Sequence, residues 1–251
     1  MKLILVRHAE STWNKSNRVQ GIKNPKLSDK GQRQAQLLAE KFRGITSNGM
    51  SFDAVYSSPL KRAYDTAKIL INRNENKVER LKAEGVYSLP AFSLQPKHLQ
   101  PSISNICTIE DLQEIKLGVW EGMTINQVRQ EYKELYAQWY QKPVEVKIPG
   151  AETVLEFKDR VVSVFDEIRA KHPDQEVLVV THGGVISVYL AYLLEMNLNR
   201  LWSISLKNTA VTIISFCEAC LVEACLVEDF PCVLVFNDTC HLEAEKDLVT
   251  W

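Results

Sequence analysis

Within residues 2–6, KLILV, Leu3 to Val6 form a short apolar run that passes without a break into Arg7 and His8. A short apolar run ended abruptly by charge reads as a buried strand. An Arg-His pair is costly to bury unless partners meet it. In α/β proteins the C-terminal ends of strands are where ligands bind. The same pattern returns late in the chain, where EVLVVT runs into His182 and a glycine turn. A third apolar run, FDAVYSS from Phe52, feeds a segment that carries Arg62. If these strands are neighbours, two histidines and two arginines converge on one pocket.

Helical spacing fills the intervals. Ser28 reads as an N-cap for a helix with Ala35, Leu38 and Phe42 on one face. Ser58 reads as a cap and Pro59 as a first-turn residue for the next helix, with Leu60, Ala63, Ala67 and Leu70 aligned. Ile125, Val128, Tyr132 and Leu135 continue one helical stripe after Thr124. Thr153 and Glu156 form a capping box for a long helix bearing Phe157, Val161, Val164 and Ile168. A helix is expected from about Val185 to Leu194, then strands at about Val211–Phe216 and Cys232–Phe236. Strands alternating with helices predict a three-layer α/β/α sandwich, its sheet mainly parallel with helices on both faces. Residues 72–110, with Pro90, Pro96 and Pro101, break the rhythm and read as a lid or insertion within a single domain spanning 1–251.

Composition excludes several function classes. Thirty basic and 31 acidic residues leave a net charge of −1, so no global field invites nucleic acid or an anionic membrane. No apolar run is long enough for a membrane span, and the N-terminal run is too short for a signal peptide, so a cytoplasmic location is expected. Five of six cysteines lie between Cys217 and Cys240, partly because residues 218–227, EACLVEACLV, repeat five residues in tandem. Their spacing fits no zinc pattern, and reduced structural thiols are expected.

Two guanidiniums can fork onto phosphate oxygens, and a helix N-terminus after Pro59 adds a positive dipole end. A neutral imidazole can attack phosphorus and become a phosphohistidine. A lone histidine at a strand end is usually structural, but four such residues at equivalent strand ends are hard to dismiss. Of the other histidines, His98 lies in the Pro-rich segment and His172 at a helix end. His241, in FNDTCHL, follows a strand.

LVRHAESTWN, SSPLKRAYDTA, LQEIKLGVWEG and VTHGG, in that order, resemble the motifs of the histidine phosphatase superfamily, also called phosphoglycerate mutase-like. The resemblance covers the chain from Lys2 to about Leu242. It implies that His8 is the nucleophile, that Arg7 and Arg62 bind the phosphoryl group, and that His182 donates to its oxygens. It implies that Glu114, rather than Glu121, protonates the leaving oxygen and then activates water. Asn14, Gln20 and Gly21 match positions lining the substrate side, and Gly183 lets the backbone approach the pocket. No cofactor and no metal are implied, since arginines and histidines neutralise the transferring phosphoryl. Ala9 departs from the family's usual Gly after the nucleophile.

The segment QEIKLGVWEGMT is similar to the phosphatase branch rather than the mutases, which carry a longer basic insertion. The expected activity is hydrolysis of a small phosphorylated metabolite, such as phosphoserine or a sugar phosphate. A cofactor-dependent phosphoglycerate mutase is the runner-up, and a silent phosphate-binding or partner-binding relative is the third reading. A homodimer stays open.

Overall fold

The computed structural model of the protein describes residues 1–44, 52–72, 105–216 and 230–248. Among them a six-stranded sheet has the order β3-β2-β4-β1-β5-β6, with β1 at Lys2–Arg7, β2 at Ala54–Ser57, β3 at Cys107–Thr108, β4 at Glu176–Thr181, β5 at Val211–Phe216 and β6 at Pro231–Asp238. Strands β1 to β4 run parallel, while β5 and β6 are antiparallel to their neighbours. The sheet is therefore mixed.

Alternation along β1 and β4 divides the core. Leu3, Leu5, Val177 and Val179 join one apolar cluster with Phe157, Val161, Val164 and Ile168, the stripe read from the sequence. Ile4, Val6, Leu178 and Val180 join the other with Leu38, Phe42, Ala63, Ala67 and Leu70. Successive residues of a strand point to opposite faces, so helices α2 (Asp29–Gly44) and α3 (Lys61–Ile71) cover one face of the sheet. Helices α6 (Val154–Lys171) and α7 (Gly183–Leu193) cover the other. A one-turn helix α1 (Thr12–Lys15) lies between β1 and α2, and α4 (Ile125–Glu131) and α5 (Lys133–Gln141) precede α6.

Several caps fall where the sequence puts them. Ser28 Oγ accepts from Gly31 N at 2.9 Å, and Thr153 and Glu156 form a reciprocal capping box. His172 closes α6 as its C-cap. Other expectations need correction. Ser58 does not cap α3: the N-cap residue is Leu60, and Asn24 Oδ1 instead accepts from Lys61 N at 2.6 Å. The hydroxyl of Ser58 is engaged elsewhere, as described below. The stripe Ile125–Leu135 is two helices, because Tyr132, at φ −126° and ψ 40°, leaves the helical region. Helix α7 starts two residues earlier than its apolar stripe suggested, at the glycines.

The expected lid at 72–110 falls mostly outside the described residues, and its end supplies β3, which pairs with Tyr56 and Ser57. The repeat at 218–227 also lies outside them. Cys232 is disulfide-bonded, against the expectation of reduced thiols, whereas Cys107 and Cys240 are free. No helix among the described residues is long and apolar enough to cross a membrane.

Candidate active site

Strand register brings the two histidines together. Arg7 pairs with Thr181 in the parallel β1–β4 ladder, so His8 and His182 are the next residues off the same edge. Their ring centroids lie 5.1 Å apart, edge to face, and both side chains are buried. Strand β2 lies on the other side of β4, and its exit delivers Ser58, whose Oγ is 2.8 Å from His182 Nε2. Three strand ends thus meet, as the sequence pattern anticipates.

Two neighbours set the tautomer of His8. The Ala9 carbonyl can only accept, so Nδ1 carries the proton and donates across 2.7 Å. A guanidinium can only donate, so Nε2 keeps its lone pair toward Arg62 Nε at 3.2 Å. Burial holds the His8 ring well below its usual pKa of 6.5, and the charges of Arg62 and Arg7 push it further down. A neutral imidazole with its lone pair facing a guanidinium can act as a nucleophile.

Arg62, 1% exposed, is clamped by the carbonyls of Lys23 (2.7 Å) and Gly21 (2.8 Å). Gly21 has φ +49°, and a Cβ there would lie 2.1 Å from Glu121 Oε1, so only glycine fits. Arg7 Nη1 donates to the Leu206 carbonyl. Burial pushes both guanidiniums down to about 10, with Glu114 opposing that shift, so they stay charged at neutral pH. Among the described residues, Arg7 Nε and His182 Nδ1 are buried and without a protein partner. The Ser58 hydroxyl can donate to Nε2, which would place the His182 proton on that orphaned Nδ1. Orphaned donors around a lone pair are what an oxyanion would satisfy.

The carboxylate of Glu114 meets the first turn of α7. Its Oε2 accepts from Gly184 N at 3.1 Å, and its Oε1 from Ile115 N at 3.0 Å. A Cβ on Gly184 would lie 2.3 Å from Oε1, whereas one on Gly183 would meet Arg7 Nε at an ordinary 3.5 Å. The close backbone approach expected of Gly183 therefore belongs to Gly184. Glu121 is spent otherwise: its Oε1 accepts from Leu117 N (2.9 Å) and Ile22 N (3.2 Å), tying two loops together. Asn14 and Gln20 share the buried hydroxyl of Ser11, at 3.0 Å and 2.7 Å. Asn14 closes the capping box of α1.

Ala9 is fully buried, has no positive φ, and donates its N–H to Thr66 Oγ1 at 3.1 Å. Nothing in that backbone requires glycine. His241 does not reach the centre directly. Its Nε2 lies 3.0 Å from Thr209 Oγ1, which donates to the Asn208 carbonyl, and Asn208 Nδ2 donates to the His8 carbonyl at 2.9 Å. Sequence reading missed Asn208, for which no local pattern speaks, and read Ser58 as a cap. Its place at a strand end, like those of His8 and His182, was the available signal. Among the described residues no three His, Cys, Asp or Glu side chains form a metal-type group.

Three depressed histidines make stability pH-dependent: His8, His182 and His241, the last held down to about 4 by burial. The unfolded chain takes up a proton at each of them as pH falls below 6.5, while the folded chain does not, with His241 following only near pH 4. Stability is thus intact above that value and lost below it, with a limiting slope of about 1.4 kcal/mol per pH unit per histidine. Denaturant titrations at pH 7.5, 6.5 and 5.5 check this, and a stability that rises into acid contradicts it.

Residues 3–83 and 98–225 match the family model described as histidine phosphatase superfamily (branch 1). Phosphoserine phosphatase 1 of Hydrogenobacter thermophilus is 32% identical over 242 residues, covering 96% of this chain and 94% of that protein. The metal-independent phosphoserine phosphatase of Arabidopsis thaliana is 30% identical, over 75% of this chain and 67% of that protein. The structure of Bacillus stearothermophilus YhfR superposes with a TM-score of 0.73 at 27% identity, covering 96% of this chain and 99% of that one.

Proposed function

The chain belongs to the histidine phosphatase superfamily, and from that premise we propose that it hydrolyses a small phosphomonoester, phosphoserine being the leading candidate, through a phosphohistidine on His8. The observation that carries this reading is the pair of contacts on the His8 ring, Nδ1 to the Ala9 carbonyl and Nε2 to Arg62. Together they leave the distal nitrogen neutral, unprotonated and inside a cationic pocket.

Phosphoryl transfer asks the protein chiefly for positioning and charge. His8 Nε2 attacks phosphorus in line while the leaving oxygen departs. Arg7 Nε, the Arg62 guanidinium and His182 Nδ1 take the equatorial oxygens. Glu114 gives a proton to the leaving oxygen, then takes one from the water that attacks the phosphohistidine. Inorganic phosphate leaves and the His8 lone pair is restored. Asn14 and Gln20 face the substrate beyond the phosphoryl group, and the Gly21 carbonyl keeps Arg62 in place. The choice of phosphoserine rests on the two phosphoserine phosphatases among the relatives.

Because cationic side chains supply the charge, turnover is expected to persist in excess EDTA. Release of inorganic phosphate from O-phospho-L-serine and a panel of phosphorylated metabolites, with and without chelator, tests both points. Activity lost to EDTA and restored by Mg²⁺ refutes the metal-independent reading. Isomerisation of the substrate without phosphate release refutes the hydrolase reading.

A further inference from the structure

Glu114 sits in a segment with little regular structure of its own, just after a three-residue 3₁₀ turn at Glu110–Leu112. A proton donor must be held to a fraction of an ångström, so something outside this segment has to fix it. The structure assigns that task to Arg160: we propose that it is the positioning residue for Glu114, an inference that rests on Glu114 being the proton donor. Arg160 lies on α6, two turns from its start, between Phe157 and Val161, both fully buried.

All five N–H donors of its guanidinium are used. Nη1 donates to the carbonyls of Asp111 (2.8 Å) and Gln113 (2.9 Å). Nη2 donates to the carbonyl of Glu114 itself (3.2 Å) and to Glu152 Oε1 (2.6 Å), and Nε to Glu152 Oε2 (2.9 Å). Glu152 in turn accepts from Lys116 N at 2.8 Å and donates its own N–H to the Lys116 carbonyl at 3.2 Å. The guanidinium rests on the Phe157 ring, 4.7 Å from its centroid.

One planar fork therefore holds carbonyls on both sides of Glu114 against a buried helix, and its carboxylate partner clamps the segment two residues on. Leu112 and Ile115, buried in the core, secure the segment's depth. They do not fix the rotation of the peptides between them, which aims the Glu114 side chain at Gly184. A lysine has a single nitrogen and cannot span these acceptors.

The test compares Glu114→Gln, Arg160→Met, Arg160→Lys and the double variant Glu114→Gln/Arg160→Met on two probes. These are p-nitrophenyl phosphate, whose leaving group needs little protonation, and phenyl phosphate, whose more basic leaving oxygen needs more. Glu114→Gln is expected to lower kcat about 50-fold on phenyl phosphate and less than about 5-fold on p-nitrophenyl phosphate. Arg160→Met is expected to show the same selectivity at about 10-fold, with KM unchanged, and to add little in the double variant. Arg160→Lys, which keeps stem and charge, is expected to lose selectively at smaller amplitude, and it carries the comparison should the Met variant not fold. Equal losses on both probes in the Arg160 variants, with Glu114→Gln selective, would mean Arg160 is merely structural and overturn the inference. An unselective Glu114→Gln overturns the proton-donor reading beneath it.

Discussion

Replacing His8 by alanine is expected to abolish the phosphoenzyme and to lower kcat on the order of 10⁵-fold. Loss of a covalent nucleophile can cost as much as all the machinery around it, because the groups act as a unit. Here the unit is explicit: Arg62 is oriented partly by His8 Nε2, and His182 packs on the same ring. Binding should survive, since Arg7, Arg62 and His182 remain to hold an oxyanion. Rapid-quench trapping with a ³²P-labelled phosphomonoester, kept alkaline because phosphohistidine is acid-labile, should label the wild type and not the variant. Label that persists in His8→Ala would move the nucleophile elsewhere.

Arg62→Lys is the second large effect, about 10³-fold in kcat/KM although the charge is kept. A preorganised donor at a developing anion is worth about 10²–10³ alone, and Arg62 does more than donate. Its three bonds, to His8 Nε2 and to the carbonyls of Gly21 and Lys23, join the nucleophile to the loop that closes one side of the pocket. A lysine ammonium cannot serve those three directions from one atom. Steady-state kinetics with thermal unfolding separates the two costs. A variant that folds normally and loses less than about tenfold would show that the charge matters and the fork does not.

Much of the scaffold was legible because it is written in local pattern. The four-residue core of β1, the stripe of α6 and the caps at Ser28 and Thr153 each need only neighbouring residues. His8 and His182 stood out because both interrupt an apolar strand. Arg62 stood out only by following a third strand, and Glu114 came through resemblance alone, since a glutamate in a loop carries no pattern. What stayed hidden depends on distant chain. Arg160 meets a carbonyl 46 residues away, and Asn208 one 200 residues away. Ser58 was misread for the same reason: locally it is a good cap, but His182 competes for the same hydroxyl. Tyr132 fits the apolar stripe while its backbone breaks the helix.

The bond from His8 to the Ala9 carbonyl has a consequence for regiochemistry and for inheritance. An acceptor that belongs to the main chain is present whatever side chain the codon specifies. Mutation at position 9 can crowd the apolar cluster of Leu27 and Ala35, yet it cannot delete the oxygen that keeps the proximal nitrogen protonated. In the proposed reaction this would direct the phosphoryl group to the ring nitrogen remote from the backbone, one of two possible phosphohistidine isomers. The choice of isomer would then rest on the peptide unit rather than on any replaceable side chain.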